Sequence, residues 1–456
     1  MERENESALN VALKPYCDDC RKLLNIPEEA YKQYDIKRGL RNADGTGVLA
    51  GITRISNVHG YILDEYERHP AEGELFYRGI NIKDIIAGCT AEDRFGFEEV
   101  VWLLLFGYLP TADQLASFSR LLEKHRELPE GFIEDMIIKA PSPNIMNKLS
   151  RSVLALYSYD ELADDNSLEN IVRQSIELIA RVSTIMVNAY QVKKRYYDHE
   201  SLFFHSPIDG MSFSENILST MRLDRQFTRE EAKLLDICLI LHAEHGGGNN
   251  SAFACRVLSS SGTDTYAAIA AAIGALKGPR HGGANIKVMQ MLGYMKEGIA
   301  DHTDDEEITA FLKKILAKEA GDGSGLIYGM GHAVYTKSDP RAVILKSHAE
   351  SLAQKSGFED DFRLLSAVER IAPYLLGAKK GSVSSVCANV DLYSGLVYKM
   401  LGIPEELFTP LFAVARMAGW CAHRIEEVTT CRRIVRPAYK SVQAHTDYIP
   451  LSQRKR

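Results

Sequence analysis

Two segments of the sequence are apolar around nearly their whole circumference when they are drawn as helices. Residues 265–277 read TYAAIAAAIGALK and stop at Gly278-Pro279, and residues 234–241 read LLDICLIL behind the capping-box pattern Thr228-Arg-Glu-Glu231. A surface helix keeps a polar face, so a helix without one has to be surrounded by other helices. The sequence therefore predicts a large, mainly α-helical protein with buried helices at its centre.

A region near the N-terminus has a different pattern. Residues 46–83 contain short alternating β-type runs separated by glycine, proline and acidic residues, which predicts a small antiparallel sheet. The length of 456 residues suggests two or three domains. We expect a large multi-helix domain that begins with residues 1–283, a smaller helical domain of residues 284–395, and a return segment with the C-terminal tail, residues 396–456.

The composition excludes several classes of protein. The chain has 54 Lys and Arg against 61 Asp and Glu, a formal net charge of −7, and no dense basic face for a nucleic acid. Eight scattered cysteines in a chain of this length are typical of reduced thiols in a cytosolic protein. The polar start MERENESALN lacks the apolar core of a signal peptide. The sequence contains no run of about 18 apolar residues, so it predicts no membrane-spanning helix. We expect a cytoplasmic protein with no nucleic-acid or membrane partner.

Four short stretches concentrate histidine, arginine and aspartate next to glycines or at helix ends. They are LHAEHGGGNNS with His242 and His245, KGPRHGGAN with His281, YGMGHAVYTKSDPR with His332 and Arg341, and ANVDLYSG with Asp391. Arg416, in LFAVARMAGW, is a charge inside an apolar helix, where burial requires an anionic partner. Arg436, in RRIVRPAY, is a weaker candidate because its surroundings also fit a surface charge.

The histidine in KGPRHGGAN lies between the end of one predicted helix and the start of the next. The free N–H groups and the positive dipole of a helix start disfavour an imidazolium, so His281 is predicted to be neutral. A neutral imidazole in such a place can polarise a carbonyl group. Glycines at 282 and 283 permit a substrate to approach the backbone closely. Taken alone, the motif is equally consistent with a turn that has no chemical role.

The other motifs, taken singly, also have plain interpretations. His332 follows Gly329-Met-Gly331 and by itself fits a loop histidine. Asp391 by itself fits an N-cap of the helix LYSGLVYKML. His242, near the end of a buried helix, fits a core histidine whose ring is satisfied by its neighbours. Function therefore has to be argued from the motifs together.

Two hypotheses of other classes follow from the same residues. His242 and His245 share one helix face, and with His281, His332 and Asp391 they fit the metal site of a helical hydrolase. No HExxH, HD or DxD companion supports it, and the glycine-rich flanks suit substrate approach better than rigid ligation, so we expect no metal. The other hypothesis is a helical scaffold without catalysis.

The motifs in their order along the chain resemble those of the citrate synthase family. The resemblance rests on LHAEHGGGNNSAF, AAAIGALKGPRHGGAN, GMGHAVYTKSDPRA, NVDLYSG, FAVARMAGW and RIVRPAY, with FYRGINIKDI and FEEVVWLLLFGYLPTADQL upstream. It covers roughly residues 50–440. The joint occurrence of these motifs is specific in a way that no single one is.

The resemblance implies a homodimeric acyltransferase that condenses acetyl-CoA with oxaloacetate and water to citrate and CoA, through an enol or enolate and citryl-CoA. It implies that Asp391 removes a proton from the acetyl group, that His281 donates to the thioester oxygen, and that His332 donates to the oxaloacetate ketone. It also implies an oxaloacetate site formed by His245, Arg341 and Arg416, with Arg436 contributed by the neighbouring subunit. No cofactor is expected, because the CoA thioester is a substrate.

One departure from the family pattern concerns CoA. Some relatives have an arginine that helps to bind CoA where Thr336 stands in this chain, so we expect Lys337, Lys379 or Lys380 to supply the charge. The related activity of 2-methylcitrate synthase, which uses propionyl-CoA, remains an alternative. One methylene group in a substrate is discriminated weakly, by packing that a sequence does not reveal.

Overall fold

The computed structural model describes residues 11, 13–14, 16–18, 20–21, 26–42, 44–64, 67–380, 386–431 and 433–454. The chain divides into two compact units, one formed by residues 1–50 with 436–456 and the other by residues 51–435. The first unit contains helix α1 and two 3-10 turns. Their bounds are Glu28–Gln33, Arg38–Leu40 and Leu451–Gln453.

The second unit is mainly α-helical, as predicted. Its helices before the first glycine-rich motif are α2 Ile82–Ala91, α3 Phe97–Phe106, α4 Ala112–Lys124, α5 Ile145–Ala155, α6 Leu168–Lys193, α7 Phe213–Met221 and α8 Arg229–His242. Those after it are α9 Asn250–Ser259, α10 Thr265–Lys277, α11 Ala284–Gly298, α12 Asp305–Leu316, α13 Pro340–Ser356, α14 Glu359–Lys380, α15 Asp391–Met400 and α16 Phe408–Thr430. Short π and 3-10 turns at Ile133–Ile138, Leu156–Tyr159, Lys194–Asp198 and Glu405–Leu407 extend or connect these helices.

The predicted sheet is present as three antiparallel strands in the order β1-β2-β3. β1 (Ser56–Asp64) pairs with β2 (Glu67–Tyr77) from Ser56 opposite Tyr77 to Asp64 opposite Glu67, and the register shifts between His59 and Tyr61. The two-residue strand β3 (Ile80–Asn81) closes the edge. The predicted region began ten residues too early, because the only β structure among the described residues before Ser56 is the isolated bridge between Arg41 and Gly47.

Helix α16 lies at the centre of the helical unit and packs against α3, α6, α8, α9 and α10. Helix α8 is buried from Leu234 to His242 with the sole exception of Ile237, as its sequence predicted. Its polar residue, Asp236, accepts hydrogen bonds from the backbone N–H groups of Gly96 (2.7 Å) and Phe97 (3.3 Å) and so caps α3. Burial and the nearby Glu98 raise the pKa of Asp236 to about 8, and the buried carboxyl group is tolerated here because it satisfies the helix start.

Helix α10 is less enclosed than its sequence predicted. Its core side includes Ile269 and Ile273, both fully buried, whereas Ala267, Ala271 and Gly274 form a partly exposed stripe of small residues. The proposed division into domains at 283/284 and 395/396 stays a prediction, and the second of these boundaries lies inside α15. Within the described parts of the chain, no helix is both long and apolar enough to cross a membrane.

Candidate active site

Three helices begin at or next to candidate residues. α11 begins three residues after His281, α13 begins at Pro340 beside Arg341, and α15 begins at Asp391 itself. α15 packs against both α11 and α13, and Gly395 permits the close approach, since a Cβ there would lie 2.8 Å from the Cγ of Met289. The fold therefore gathers three of the four motifs around α15.

Hydrogen bonds join the loop that carries His332 to the loop that carries Asp391. The backbone N–H of Gly331 donates to Cys387 O (2.7 Å), and that of Asn389 donates to Gly329 O (2.9 Å). The side chain of Asn389 donates to Gly331 O (2.9 Å) and accepts from the N–H of Asp391 (3.0 Å). Asp391 is thus the first residue of its helix instead of the N-cap, and Asn389 satisfies its backbone.

His332 and His245 differ in their hydrogen bonds. Nδ1 of His332 accepts from the backbone N–H groups of Val334 (3.0 Å) and Tyr335 (3.1 Å), so the proton of the neutral ring is on Nε2. His245 is buried, and its Nε2 lies 3.2 Å from the hydroxyl oxygen of Tyr335. Burial and the charge of Arg341 hold the pKa of His245 well below its usual range.

Asp391 has the electrostatics of a general base that is ready to act near neutral pH. Burial raises its pKa to about 6, and the carboxylate of Asp339 adds to the effect, while Arg341 and Arg416 oppose it. Near pH 7 the group is still ionised and is a stronger base than an exposed carboxylate.

His281 is neutral, as its sequence context predicted, but the main cause is different. Burial lowers its pKa to about 4, and the positive charge of Arg416 lowers it further, so the start of α11 is not needed as the explanation. Nε2 lies 3.1 Å from the hydroxyl of Ser251, which accepts from the indole N–H of Trp420 (3.1 Å) and donates to Asn249 Oδ1 (2.9 Å). Gly282 approaches other parts of the chain instead of an open space, because a Cβ there would overlap Leu276 O and contact Thr409.

The charges of Arg341 and Arg416, the two buried arginines of this cluster, are compensated differently. Nε and Nη2 of Arg341 donate to the two carboxylate oxygens of Asp339, at 3.0 and 2.7 Å. Asp339 also accepts from the N–H of Val390 (3.2 Å), so it ties the arginine to the residue before Asp391. The charge of Arg341 is therefore balanced within the chain itself.

Arg416, in contrast, is not neutralised by direct contact. Its Nε donates to His242 O (2.6 Å), while Nη1 and Nη2 are buried and have no hydrogen-bond partner within the described residues. Burial lowers its pKa to about 10, which the carboxylate of Glu244 partly offsets. The guanidinium remains charged at neutral pH and presents two unpaired nitrogens, which is the arrangement that binds a carboxylate.

The metal-site hypothesis finds no support in this geometry. Across the described ranges, no group of three or more His, Cys, Asp and Glu side chains is placed to hold a metal ion. His242 lies against Phe412, with ring centroids 4.3 Å apart, and both of its nitrogens are buried without a polar partner in the described part of the structure. It is a core histidine, as expected, but not one satisfied by hydrogen bonds.

Comparison with known proteins identifies the family. Residues 42–438 match the family model described as the C-terminal domain of citrate synthase. This chain belongs to the citrate synthase family. It is 35% identical to citrate synthase from Synechocystis sp. over 413 residues, which are 90% of this chain and 92% of that protein.

Further relatives within the family differ in their activity. The 2-methylcitrate synthase of Shewanella oneidensis is 30% identical over 381 residues, which are 84% of this chain and 90% of that protein. A solved ternary complex of Thermoplasma acidophilum citrate synthase with carboxymethyl coenzyme A and oxaloacetate is 27% identical. It aligns with a TM-score of 0.73 over 92% of this chain and 99% of that one. Family membership makes this chain a transferase-type enzyme with the mainly α fold that was predicted.

Four expected contact residues are not brought into this cluster by the described structure. Lys337 is exposed next to the His332 loop, and the side chains of Lys379 and Lys380 lie outside the described part of the chain. Arg436 is exposed and belongs to the compact unit of residues 1–50 and 436–456. Thr336, at the position that differs from some members of the citrate synthase family, is buried and donates to Gly60 O (2.5 Å).

Sequence reasoning missed a set of buried polar residues behind the site. Glu244 accepts from Gly246 N (2.6 Å), from Ser56 Oγ (2.9 Å) and from Nε2 of His423 (2.9 Å). Burial raises the pKa of Glu244, but the contacts with His423 and the charge of Arg416 outweigh it and bring the value to about 2. Its position between the two histidines of HAEH was the one local signal that it belongs to the site.

Proposed function

We propose that this protein is a citrate synthase, which condenses acetyl-CoA with oxaloacetate and water to give citrate and CoA. The observation that carries the proposal is the pair of unpaired Arg416 nitrogens in the same cluster as Asp391 and the neutral His281 and His245. A dicarboxylate needs a buried cation, and removal of a weakly acidic α-proton needs a base together with a hydrogen-bond donor to the carbonyl.

The first chemical step is the formation of an enol or enolate. The Asp391 carboxylate takes a proton from the acetyl methyl group, and the electron pair of that bond moves toward the thioester oxygen. A neutral His281 donates a hydrogen bond to this oxygen from Nδ1. This requires the Ser251 hydroxyl to turn its one proton from Asn249 Oδ1 (2.9 Å) to Nε2 of His281 (3.1 Å) when the substrate is bound. The half-buried and neutral state of His281 supports this role, because a neutral imidazole is a donor matched to a weakly acidic enol.

The second step forms the carbon–carbon bond. Arg416, Arg341 and His245 hold the carboxylates of oxaloacetate, and the enol carbon attacks the ketone carbon. The ketone oxygen gains negative charge, which Nε2–H of His332, the nitrogen that the tautomer of this ring leaves protonated, stabilises by donating a hydrogen bond. The proton that Asp391 removed from the methyl group balances the hydroxyl group formed at this oxygen. Water then attacks the thioester carbon of citryl-CoA and releases CoA as the thiol.

Several further features of the proposal are inferred from membership of the citrate synthase family. Closure of a smaller domain, residues 284–395, over the substrates would exclude water before condensation. CoA phosphates are bound by Lys337, Lys379 or Lys380, and no cofactor takes part. The protein acts in the cytoplasm, within the tricarboxylic acid cycle, as a homodimer in which Arg436 completes the site of the partner subunit.

The donor substrate is tested by measuring thiol release with oxaloacetate and either acetyl-CoA or propionyl-CoA. We expect kcat/KM to be at least about tenfold higher for acetyl-CoA, a ratio typical of discrimination by one methylene group. A preference for propionyl-CoA would make the protein a 2-methylcitrate synthase, the activity of one of its relatives. No thiol release with either donor would contradict the proposal.

The pH dependence tests the role of Asp391. Since burial raises its pKa to about 6, protonation below that pH removes the base, and kcat/KM for acetyl-CoA falls about tenfold per pH unit there. The imidazole of His281 stays neutral down to about pH 4 and adds no second fall in this range. Asp391→Asn abolishes thiol release at every pH while oxaloacetate binding is retained. An unchanged rate in that variant would rule out the mechanism.

A further inference from the structure

One buried tyrosine touches three of the residues assigned to oxaloacetate, and the mechanism above gives it no role. Tyr335 is 1% exposed. Its ring stacks on His332, with centroids 4.6 Å apart and planes at 29°, and meets His245 edge-on at 5.5 Å. The guanidinium carbon of Arg341 lies 5.9 Å from the same ring.

The contacts with His332 set both the plane and the tautomer of that imidazole. The backbone N–H of Tyr335 donates to Nδ1 (3.1 Å) together with that of Val334, so Nε2 carries the proton. The stacked ring covers one face of the imidazole and limits its rotation. The backbone N–H and the ring of Tyr335 thus orient the Nε2–H group of His332.

The hydroxyl of Tyr335 sets the tautomer of the second histidine. Within the described residues, Nε2 of His245 at 3.2 Å is the one hydrogen-bond partner of this hydroxyl. A buried O–H left without an acceptor is costly, so the hydroxyl donates to Nε2 and does not accept from it. The neutral ring of His245 then carries its proton on Nδ1.

The surroundings show that the tyrosine is held in place from the other side as well. Gly60 and Gly73 of the β1–β2 hairpin face its ring, and Cβ atoms built there would lie 3.1 and 2.8 Å from its Cδ1. No larger residue fits at either position without displacing the ring. The tyrosine is therefore clamped between the hairpin and the two histidines.

We propose that Tyr335 is a positioning residue that fixes His245 in the Nδ1–H tautomer and His332 in the Nε2–H tautomer, so that both rings donate to one bound 2-oxo dicarboxylate. The assignment of that ligand rests on the proposed function. The assignment of the two tautomers does not, and it is tested without any substrate.

The first test reads the tautomers directly by NMR of the full-length protein labelled with 15N-histidine, with signals assigned through His245→Gln and His332→Gln. We expect the Nδ1–H form for His245 and the Nε2–H form for His332. In Tyr335→Phe, which keeps the stacked ring, His245 shifts toward the Nε2–H form and His332 is unchanged, because the backbone still holds it. A wild-type His245 protonated on Nε2 overturns the proposal.

The second test separates positioning from simple core packing. Tyr335→Phe should raise KM for oxaloacetate about tenfold and change kcat less than about twofold, whereas Tyr335→Leu, which also removes the stack, lowers kcat as well. Tyr266→Phe is the matched control, because Tyr266 is a buried tyrosine whose hydroxyl donates to Asp160 (2.7 Å) and whose ring packs edge-on against Tyr157. Equal kinetic effects in the Tyr266 control and in Tyr335→Phe would contradict the proposal. Absence of thiol release in the wild type would instead count against the proposed function and leave the NMR test intact.

Discussion

Arg416 and Arg341 show how two arginines in the same cluster can have opposite effects on stability. Arg341 forms a two-bond ion pair with Asp339, so its charge is balanced within the chain. Arg416 is 1% exposed, and its two terminal nitrogens have no partner within the described residues. An unpaired buried charge costs stability unless a ligand neutralises it, and binding sites commonly retain such costs for function.

This difference predicts opposite responses to the same substitution. Arg416→Met should raise the Tm of the empty protein by about 1–3 °C, because an uncompensated charge is removed. Arg341→Met should lower Tm by about 5 °C or more, because the buried Asp339 loses its partner. Both variants should weaken oxaloacetate binding at least about a hundredfold, measured by calorimetry. A fall in Tm for Arg416→Met similar to that of Arg341→Met would show that Glu244 balances the Arg416 charge fully.

At the scale of elements, the small sheet is a support for the site and not a separate module. Thr336 donates to Gly60 O (2.5 Å) and accepts from the N–H of Ala71 (3.2 Å), while Ser338 accepts from Gly73 N (3.1 Å). The β1–β2 hairpin is thus bonded along the loop that connects His332 to α13. The side chain at position 336 therefore holds the hairpin against this loop.

Because the β1–β2 hairpin contacts the loop between His332 and α13, a single methyl group added to the hairpin should disturb the site. In Gly73→Ala the new Cβ overlaps Ser338 O and lies 2.8 Å from Tyr335 Cδ1, so the loop has to move. We expect a lower Tm and a KM for oxaloacetate raised several-fold, measured by thermal unfolding and thiol release. Gly88→Ala in α2 is the matched control. Its Cβ meets no atom within 4 Å, and alanine favours the helix by about 1 kcal/mol. Equal Tm and KM values in Gly73→Ala and the wild type would show that the hairpin does not constrain the loop.

The elements also show which parts of the molecule a sequence can predict. The capping box at Thr228 is a local pattern and forms as the sequence predicted, and a second capping box of the same kind forms at Thr111. The neutral state of His281 was predicted, but its main cause was wrong, since burial depends on residues distant in the chain. The Glu244–His423 contact joins positions 179 residues apart, and no local pattern specifies it. The motifs located the chemistry, whereas tertiary packing decides which polar groups support it.

At the scale of the whole molecule, polar contacts extend from the site to the last turns of the central helix. Nδ1 of His423 accepts from Nε of Arg256 (3.1 Å), whose Nη1 donates to Glu427 (2.8 Å) and whose Nη2 pairs with Glu426. Because Nδ1 accepts there, Nε2 is the nitrogen of His423 that donates to Glu244. This network anchors the end of α16 to the residue next to His245.

The proposed exchange of Arg436 between subunits is tested by mixing two defective chains. In a purified heterodimer of an Arg436→Ala chain and an Asp391→Asn chain, one site has both an intact Asp391 and the partner's intact Arg436. We expect such heterodimers to recover about half of the wild-type activity per dimer, although each parent homodimer is nearly inactive. If Arg436 served its own subunit, both sites would be defective and mixing would recover nothing. Arg433→Ala, a substitution at an exposed arginine of the same segment, is the control and should leave the homodimer active.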